Sequence, residues 1–178
     1  MKDADALALL RAAVPIADGE AWADLGAGTG VFTRALATLV GPSGRVVAVD
    51  VDDRALGAVR DRAARAGSVA PVSTMRGDVT RGLGLPPLDG VVMANVLHFV
   101  REAEDALALV VSQLRPGGRV VLIEYEGRRA SPWVPYPIPI SRFRELAAGA
   151  GLTTPQVVAT RPSAYGGALY VAVADRAA

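Results

Sequence analysis

No cysteine occurs among the 178 residues, and His98 is the only histidine. The first absence excludes disulfides, zinc–thiolate sites and thiol nucleophiles, and fits a cytoplasmic setting. The second, with no carboxylate cluster at ligand spacing, means that no metal centre is expected. Apolar runs are too short for a membrane span, which needs roughly 18 residues. Asp3 and Asp5 interrupt the N-terminus, where a signal peptide would need an unbroken apolar region. Charge of one sign is lacking as well. At a formal +1 the chain has no basic excess for gripping phosphate backbones, so nucleic acid is not expected as a partner. Internal repeats and interdomain linkers are missing, so residues 1–178 read as one domain. A domain of this size buries roughly 70% of its unfolded surface and needs no staple.

What is present is an alternation of apolar strands and amphipathic helices. A helical lead (2–14, within 1–20) is followed by a buried strand (21–25), a helix (31–40) closed by Gly41-Pro42, and a strand (45–49) ending at Asp50. A helix (53–66), a strand (72–76), an apolar strand (90–94) and a helix (102–114) continue the pattern. Pro116-Gly117-Gly118 reads as a turn, and a strand (119–123), a helix (141–150) and two strands (154–160, 168–173) complete the chain. Strands without polar alternation are buried on both faces, as in a parallel sheet covered by helices. The order predicts an open α/β sheet whose working loops lie at the strand C-terminal ends.

The segment Trp22-Ala-Asp-Leu-Gly-Ala-Gly-Thr-Gly30 carries the most chemistry. Gly26, Gly28 and Gly30 follow a strand and open a helix, where glycine lets the backbone turn sharply and approach a ligand. The spacing is G-x-G-x-G, whereas a nicotinamide loop usually reads G-x-G-x-x-G and a P-loop ends in Gly-Lys-Ser/Thr. Asp24, two residues before the first glycine, would repel a pyrophosphate and attract an ammonium. Asp50, 20 residues after Gly30, is placed to accept from ribose hydroxyls. These residues describe a ligand with a ribose, a cationic amino-acid end and no phosphate.

Asp-Leu-Gly-Ala-Gly-Thr-Gly and Val-Val-Ala-Val-Asp50 resemble the first two motifs of class I S-adenosylmethionine-dependent methyltransferases. The likeness runs through Gly77-Asp78-Val79, Asn95 and Leu-Arg-Pro-Gly-Gly-Arg-Val-Val-Leu-Ile-Glu124, over roughly residues 20–125. It implies a Rossmann-like sheet of seven strands, the last antiparallel, and S-adenosyl-L-methionine as cofactor. It also implies that Asp24 lies near the methionine amino group, Asp50 and Val51 at the ribose side, Asp78 and Val79 at the adenine, and Asn95 along the methionine. A loop-capping role for Asp78 stays open.

Val-Leu-His98-Phe-Val resembles the Leu-His-x-Trp region of small-molecule O-methyltransferases, in which the histidine is the base and a strand-end glutamate, here Glu124, assists. Phe99 and Val100 stand where that group has Asp or Asn and Trp, so His98 as pocket lining stays open beside His98 as base. Prolines 132, 135, 137 and 139 stiffen residues 126–140 into an extended segment, either a lid or a connector. Trp133 and Tyr136 on it, and Tyr165 further on, are candidate acceptor contacts, whereas Arg128 and Arg129 read as solvated charges. The expected function is methylation of a small molecule, on oxygen. The alternatives are a same-fold protein that binds the cofactor for another step such as cyclisation, a binding module, or an RNA or protein methyltransferase. A homodimer is plausible, and no membrane association is expected.

Overall fold

The computed structural model describes residues 1–13, 19–64, 69–163 and 166–177. Its elements are α1 (Asp3–Ala13), β1 (Ala21–Leu25), α2 (Val31–Val40), β2 (Arg45–Asp50), α3 (Asp53–Ala63), β3 (Val72–Arg76) and β4 (Leu88–Ala94). A 3₁₀ turn (Leu97–Phe99), α4 (Ala103–Ser112), β5 (Leu114–Glu126), α5 (Ile140–Gly149), β6 (Gln156–Pro162) and β7 (Ala168–Asp175) follow. The seven strands form one sheet in the order β3-β2-β1-β4-β5-β7-β6. Neighbours from β3 through β5 pair parallel, while β7 runs antiparallel to both β5 and β6.

Period-two alternation sends each strand's side chains to two cores. Ala21, Ala23 and Leu25 of β1 pack with Val91, Met93, Val120 and Leu122 under α4 and α5. Trp22 faces the other way, with Val92, Val121 and Ile123 under α1 and α2. Burial on both faces explains why the central strands lack polar alternation. Gly90 is a packing requirement of this arrangement, because a Cβ there would lie 2.4 Å from the Trp22 ring.

Most elements lie within two residues of the expected bounds, and the largest differences are around residue 114 and at the C-terminal end of β5. The helix expected to reach residue 114 ends at Ser112, and Leu114 already pairs with Leu88 as the start of β5. The expected turn at 116–118 is an irregularity inside that strand. Gly117 takes φ 76° and donates to the Arg176 carbonyl (3.0 Å), so its backbone remains hydrogen-bonded to the sheet side. The first half of the sheet grows outward from β1 to β3 and the chain then returns to β4 on the opposite side of β1. That reversal opens a crevice at the C-terminal ends of β1 and β4.

Candidate functional site

The crevice is built by backbone. Beyond Leu25 the chain folds over the end of β2, with the Gly26 and Ala27 amides donating to the Val49 carbonyl at 2.8 and 3.0 Å. Gly26 has φ 72°, and a Cβ there would sit 2.2 Å from Val96 Cγ2, so the loops after β1 and β4 touch at this point. Gly28, at φ 51°, has no atom within 4 Å of a built Cβ and opens on free space. Its amide donates to Asp50 Oδ2 (2.7 Å), while Asp50 Oδ1 accepts from the Asp52 amide (2.9 Å). Gly30 caps α2 in the left-handed conformation.

Around this loop the other predicted residues fall into place. Asp24 is 1% exposed and accepts from Thr33 Oγ1 at 2.6 Å. Burial pushes its carboxyl up to about 6; the Thr33 hydrogen bonds oppose the shift and nearby Asp50 adds to it. Val51 beside Asp50 is 59% exposed, a large apolar side chain left at the rim. Asp78 Oδ1 accepts from both the amide (2.9 Å) and hydroxyl (2.7 Å) of Thr80, which hold the carboxyl below its usual range. The loop-capping geometry is therefore present. Val79 is buried in the core beneath α4. Asn95 has φ 57°, the only positive value at a non-glycine among the described residues. Its amide donates to the Ile123 carbonyl (2.8 Å), and its buried Oδ1 has no hydrogen-bond partner.

His98 and Glu124 meet. The 3₁₀ turn after β4 and the end of β5 bring Nδ1 within 2.7 Å of Glu124 Oε2, and Glu124 Oε1 accepts from the His98 backbone amide at 3.2 Å. Both side chains are buried, the carboxylate completely. The imidazole lines a cavity of about 450 Å³ together with Asn95, Phe99, Tyr125, Arg128, Trp133 and Val134.

The proline-rich segment crosses this cavity and is pinned by aliphatic side chains and backbone. Val134 and Ile138 are buried, the Tyr136 amide donates to the His98 carbonyl (2.9 Å), and Tyr170 OH donates to the Ile138 carbonyl (2.7 Å). Trp133 lines the cavity and is otherwise exposed. Tyr136 is not among the described lining residues, and Tyr165 lies outside the described residues.

A family model described as methyltransferase domain matches residues 23–118. The chain belongs to the class I S-adenosylmethionine-dependent methyltransferases. It is 38% identical over 104 residues to the ubiquinone/menaquinone biosynthesis C-methyltransferase UbiE of Ectopseudomonas mendocina, a match covering 57% of this chain and 40% of that protein. The chain thus aligns with about 40% of the length of the curated relatives it matches. The YcgJ protein of Bacillus subtilis has the same fold, with a TM-score of 0.81 at 13% identity over 98% of this chain and 99% of that one. So does an arsenic(III) S-adenosylmethionine methyltransferase of Chlamydomonas reinhardtii, with a TM-score of 0.75 at 20% identity over 90% of this chain and 64% of that one.

The crevice of this methyltransferase suits its cofactor. Gly28 leaves room for a ligand to approach the loop, the Asn95 oxygen is a buried acceptor awaiting a donor, and buried Asp24 would be relieved by a cation. Sequence reasoning missed Phe99, Tyr125 and Val134 as cavity walls and Thr33 as the partner of Asp24. Thr33 carried a signal, a hydroxyl in the first turn of the helix that follows the glycine loop. Arg128 corrects an expectation. It is half-buried with its guanidinium carbon 4.9 Å over the Tyr125 ring, rather than freely solvated. No helix among the described residues is long and apolar enough to cross a membrane.

Proposed function

We propose that this methyltransferase methylates a small molecule bearing an ionisable hydroxyl, with His98 as the base, and that the methyl goes to oxygen. The observation that carries the reading is the 2.7 Å contact between His98 Nδ1 and Glu124 Oε2 in the wall of an aromatic cavity beside Asn95. When bound, S-adenosylmethionine supplies an electrophilic methyl carbon on a sulfonium. Asp24, Asn95 and the Gly26–Gly28–Gly30 loop would hold its amino-acid end. Asp50 would take the ribose hydroxyls, since a carboxylate has about four lone-pair sites and two carry the Gly28 and Asp52 amides. Val51 would stand at the ribose side and the Val79 backbone amide would meet the adenine ring, with Asp78 at its amino group through the oxygen not used by Thr80.

The chain's own chemistry is positioning and proton removal. An ionised Glu124 can only accept, so it fixes the proton on Nδ1 and leaves the Nε2 lone pair available to the cavity. Nε2 takes the hydroxyl proton as the oxygen gains its methyl, and Glu124 stabilises the resulting imidazolium. Holding two reactants in register supplies roughly 7–11 kcal/mol of the barrier, and a positioned base adds about 10²–10⁴ in rate. The cavity of about 450 Å³ and the near-neutral chain support a compact acceptor rather than a nucleic acid.

A second reading places the methyl on carbon. The UbiE relatives are named C-methyltransferases, and an ionised phenol is nucleophilic at its ring carbons as well as at oxygen. The same base serves both outcomes. The test is incubation of the protein with methyl-labelled cofactor and a panel of phenols, followed by product mass and the NMR shift of the new methyl. A methoxy signal supports the first reading and a ring methyl the second. Cofactor binding without any methylated product across the panel would refute the proposed acceptor.

A further inference from the structure

We infer that Arg62, with Arg34 beside it, is a positioning residue for the cofactor: the two guanidiniums clamp the Thr29 carbonyl and hold the glycine loop in its binding shape. This rests on the proposal that the Gly26–Gly28–Gly30 loop holds the amino-acid end of the cofactor. Arg62 Nη1, from α3, donates to the Thr29 carbonyl at 2.7 Å. Arg34 Nη1, from α2, donates to the same oxygen at 3.2 Å. Two cations from two helices thus converge on one peptide of the loop.

That peptide is where the loop needs a restraint. Thr29 is exposed and stands between Gly28 at φ 51° and Gly30 at φ 79°, two residues with wide conformational freedom. A peptide between two such hinges can rotate, and a fixed carbonyl removes the rotation. The neighbouring amides are engaged elsewhere. Those of Gly26 and Ala27 go to the Val49 carbonyl, that of Gly28 goes to Asp50, and Thr33, one turn into α2, gives its amide to Asp24. The Arg62 and Arg34 side chains therefore hold the outer side of a loop whose inner side is held by β2. When only a fraction of a free protein has the binding shape, its apparent affinity falls by that fraction.

The placement of Arg34 runs against local preference. It lies in the first turn of α2, which contains no acidic residue and where a cation opposes the helix dipole. Asp3 of α1 compensates, accepting from Arg34 Nε at 3.0 Å and from Nη2. The Arg34 hydrogen bond holds the Asp3 carboxyl below its usual range against the opposing effect of burial, and the Arg62 charge adds to the lowering. Asp3, Arg34 and Arg62 thus form one cluster joining three helices at the loop. The loop after β2 repeats the construction, with Arg76 Nε donating to the Val51 carbonyl at 3.2 Å. A guanidinium suits the task because it stays charged at any working pH and presents several donors from a planar fork.

The test is calorimetric titration with S-adenosylhomocysteine, with urea unfolding of each variant alongside. Arg62→Ala should weaken binding by roughly two- to tenfold, the value of a net hydrogen bond, and leave the urea midpoint unchanged, since Arg62 is exposed near the end of α3. Arg62→Lys, which keeps a donor on a long stem, should bind more tightly than Arg62→Ala. Removing Arg34 as well should weaken binding further, because the carbonyl then loses both donors. Arg60→Ala is the control for charge. It deletes a guanidinium of the same helix that donates to Thr74 Oγ1 instead, and affinity should not change. Unchanged affinity in Arg62→Ala, a loss matched by a fallen urea midpoint, an equal loss in Arg60→Ala or Arg62→Lys, or a double variant that binds as well as Arg62→Ala would overturn the inference. Asp50→Ala separates it from the reading on which it rests. If Asp50→Ala weakens binding and Arg62→Ala does not, the cofactor site stands and the clamp falls. If neither weakens binding, both fall.

Discussion

The two halves of the site are made in different ways. The half proposed for the cofactor, at the ends of β1 to β3, is shaped mainly by backbone. Its loop is shaped by glycines at positive φ and stitched to Asp50 and the Val49 carbonyl by amide hydrogen bonds. The half proposed for the acceptor, at the ends of β4 and β5, is shaped mainly by side chains. Residues 95 to 134 supply a buried imidazole–carboxylate pair and an aromatic wall held by the proline-rich segment. A backbone site serves one ligand and tolerates little change. A side-chain site on loops can be recut for new acceptors while the fold stays the same. The arsenic(III) methyltransferase and the UbiE relatives fit that division, since proteins with this fold are named for different acceptors.

The contrast breaks most readily at His98. His98→Ala should lower turnover by about 10²–10⁴ while leaving cofactor affinity nearly unchanged by calorimetry. Glu124→Gln should cost less, because it keeps the shape and loses the charge that supports the imidazolium. Equal losses of turnover and of cofactor affinity in His98→Ala would mean that the halves are not separable. Unchanged turnover would leave His98 as pocket lining.

The same division decided what could be read from the chain. The bounds of β1, α2 and β3 follow directly from apolar runs and glycine stops, and coincide with expectation. The positions of the loop carboxylates Asp24 and Asp50 were legible because they depend on spacing from a backbone turn. His98 and Glu124 were legible as a pair because each ends a neighbouring element. The full cavity wall was not, since Trp133 and Val134 reach Phe99 and Tyr125 only through the path of the proline-rich segment. Aromatics in that segment look like anchors, yet Val134 and Ile138 are the buried pins and Trp133 faces outward. At α4 the apolar residues Val110, Val111 and Leu114 fit helical spacing, so pattern alone could not show that Leu114 pairs with β4.

Next in size come the glycines. Gly26→Ala places a Cβ against Val96 at φ 72°, and strain plus overpacking should cost about 2–5 kcal/mol in denaturant unfolding. Gly28→Ala meets nothing within 4 Å, so its cost should be only about 1 kcal/mol, with the loss falling instead on cofactor affinity. Comparable stability losses in the two variants would show that the loop is not divided between packing and binding as described. Asp50→Ala should weaken cofactor binding by roughly 10–150-fold through the lost charge-assisted bonds, and part of that loss should come from releasing the Gly28 amide. Titration with S-adenosylhomocysteine measures it.

The smallest effect is the most specific, because it tests whether the backbone loop holds a cation beside Asp24. Burial raises the carboxyl of Asp24 to about 6, above its value in the unfolded chain, so the folded protein binds that proton more tightly. Its contribution to stability is therefore greatest below about pH 4, is lost as pH rises toward 6, and is flat above. At neutral pH the free protein carries a buried charge that Thr33 only partly compensates. Asp24→Asn keeps an oxygen for the Thr33 hydroxyl and removes the charge. The variant should gain on the order of 1–2 kcal/mol relative to the parent chain between pH 4.5 and 7, read as a difference in urea midpoints at the two values. Cofactor binding should move the other way. A cation beside Asp24 favours the ionised form, so affinity for S-adenosylhomocysteine should rise between pH 5 and 7, by roughly tenfold per unit of pKa displaced. In Asp24→Asn that slope should vanish and affinity should be low throughout. An affinity independent of pH in the parent chain would place the ammonium elsewhere and leave Asp24 as a partner of Thr33 alone.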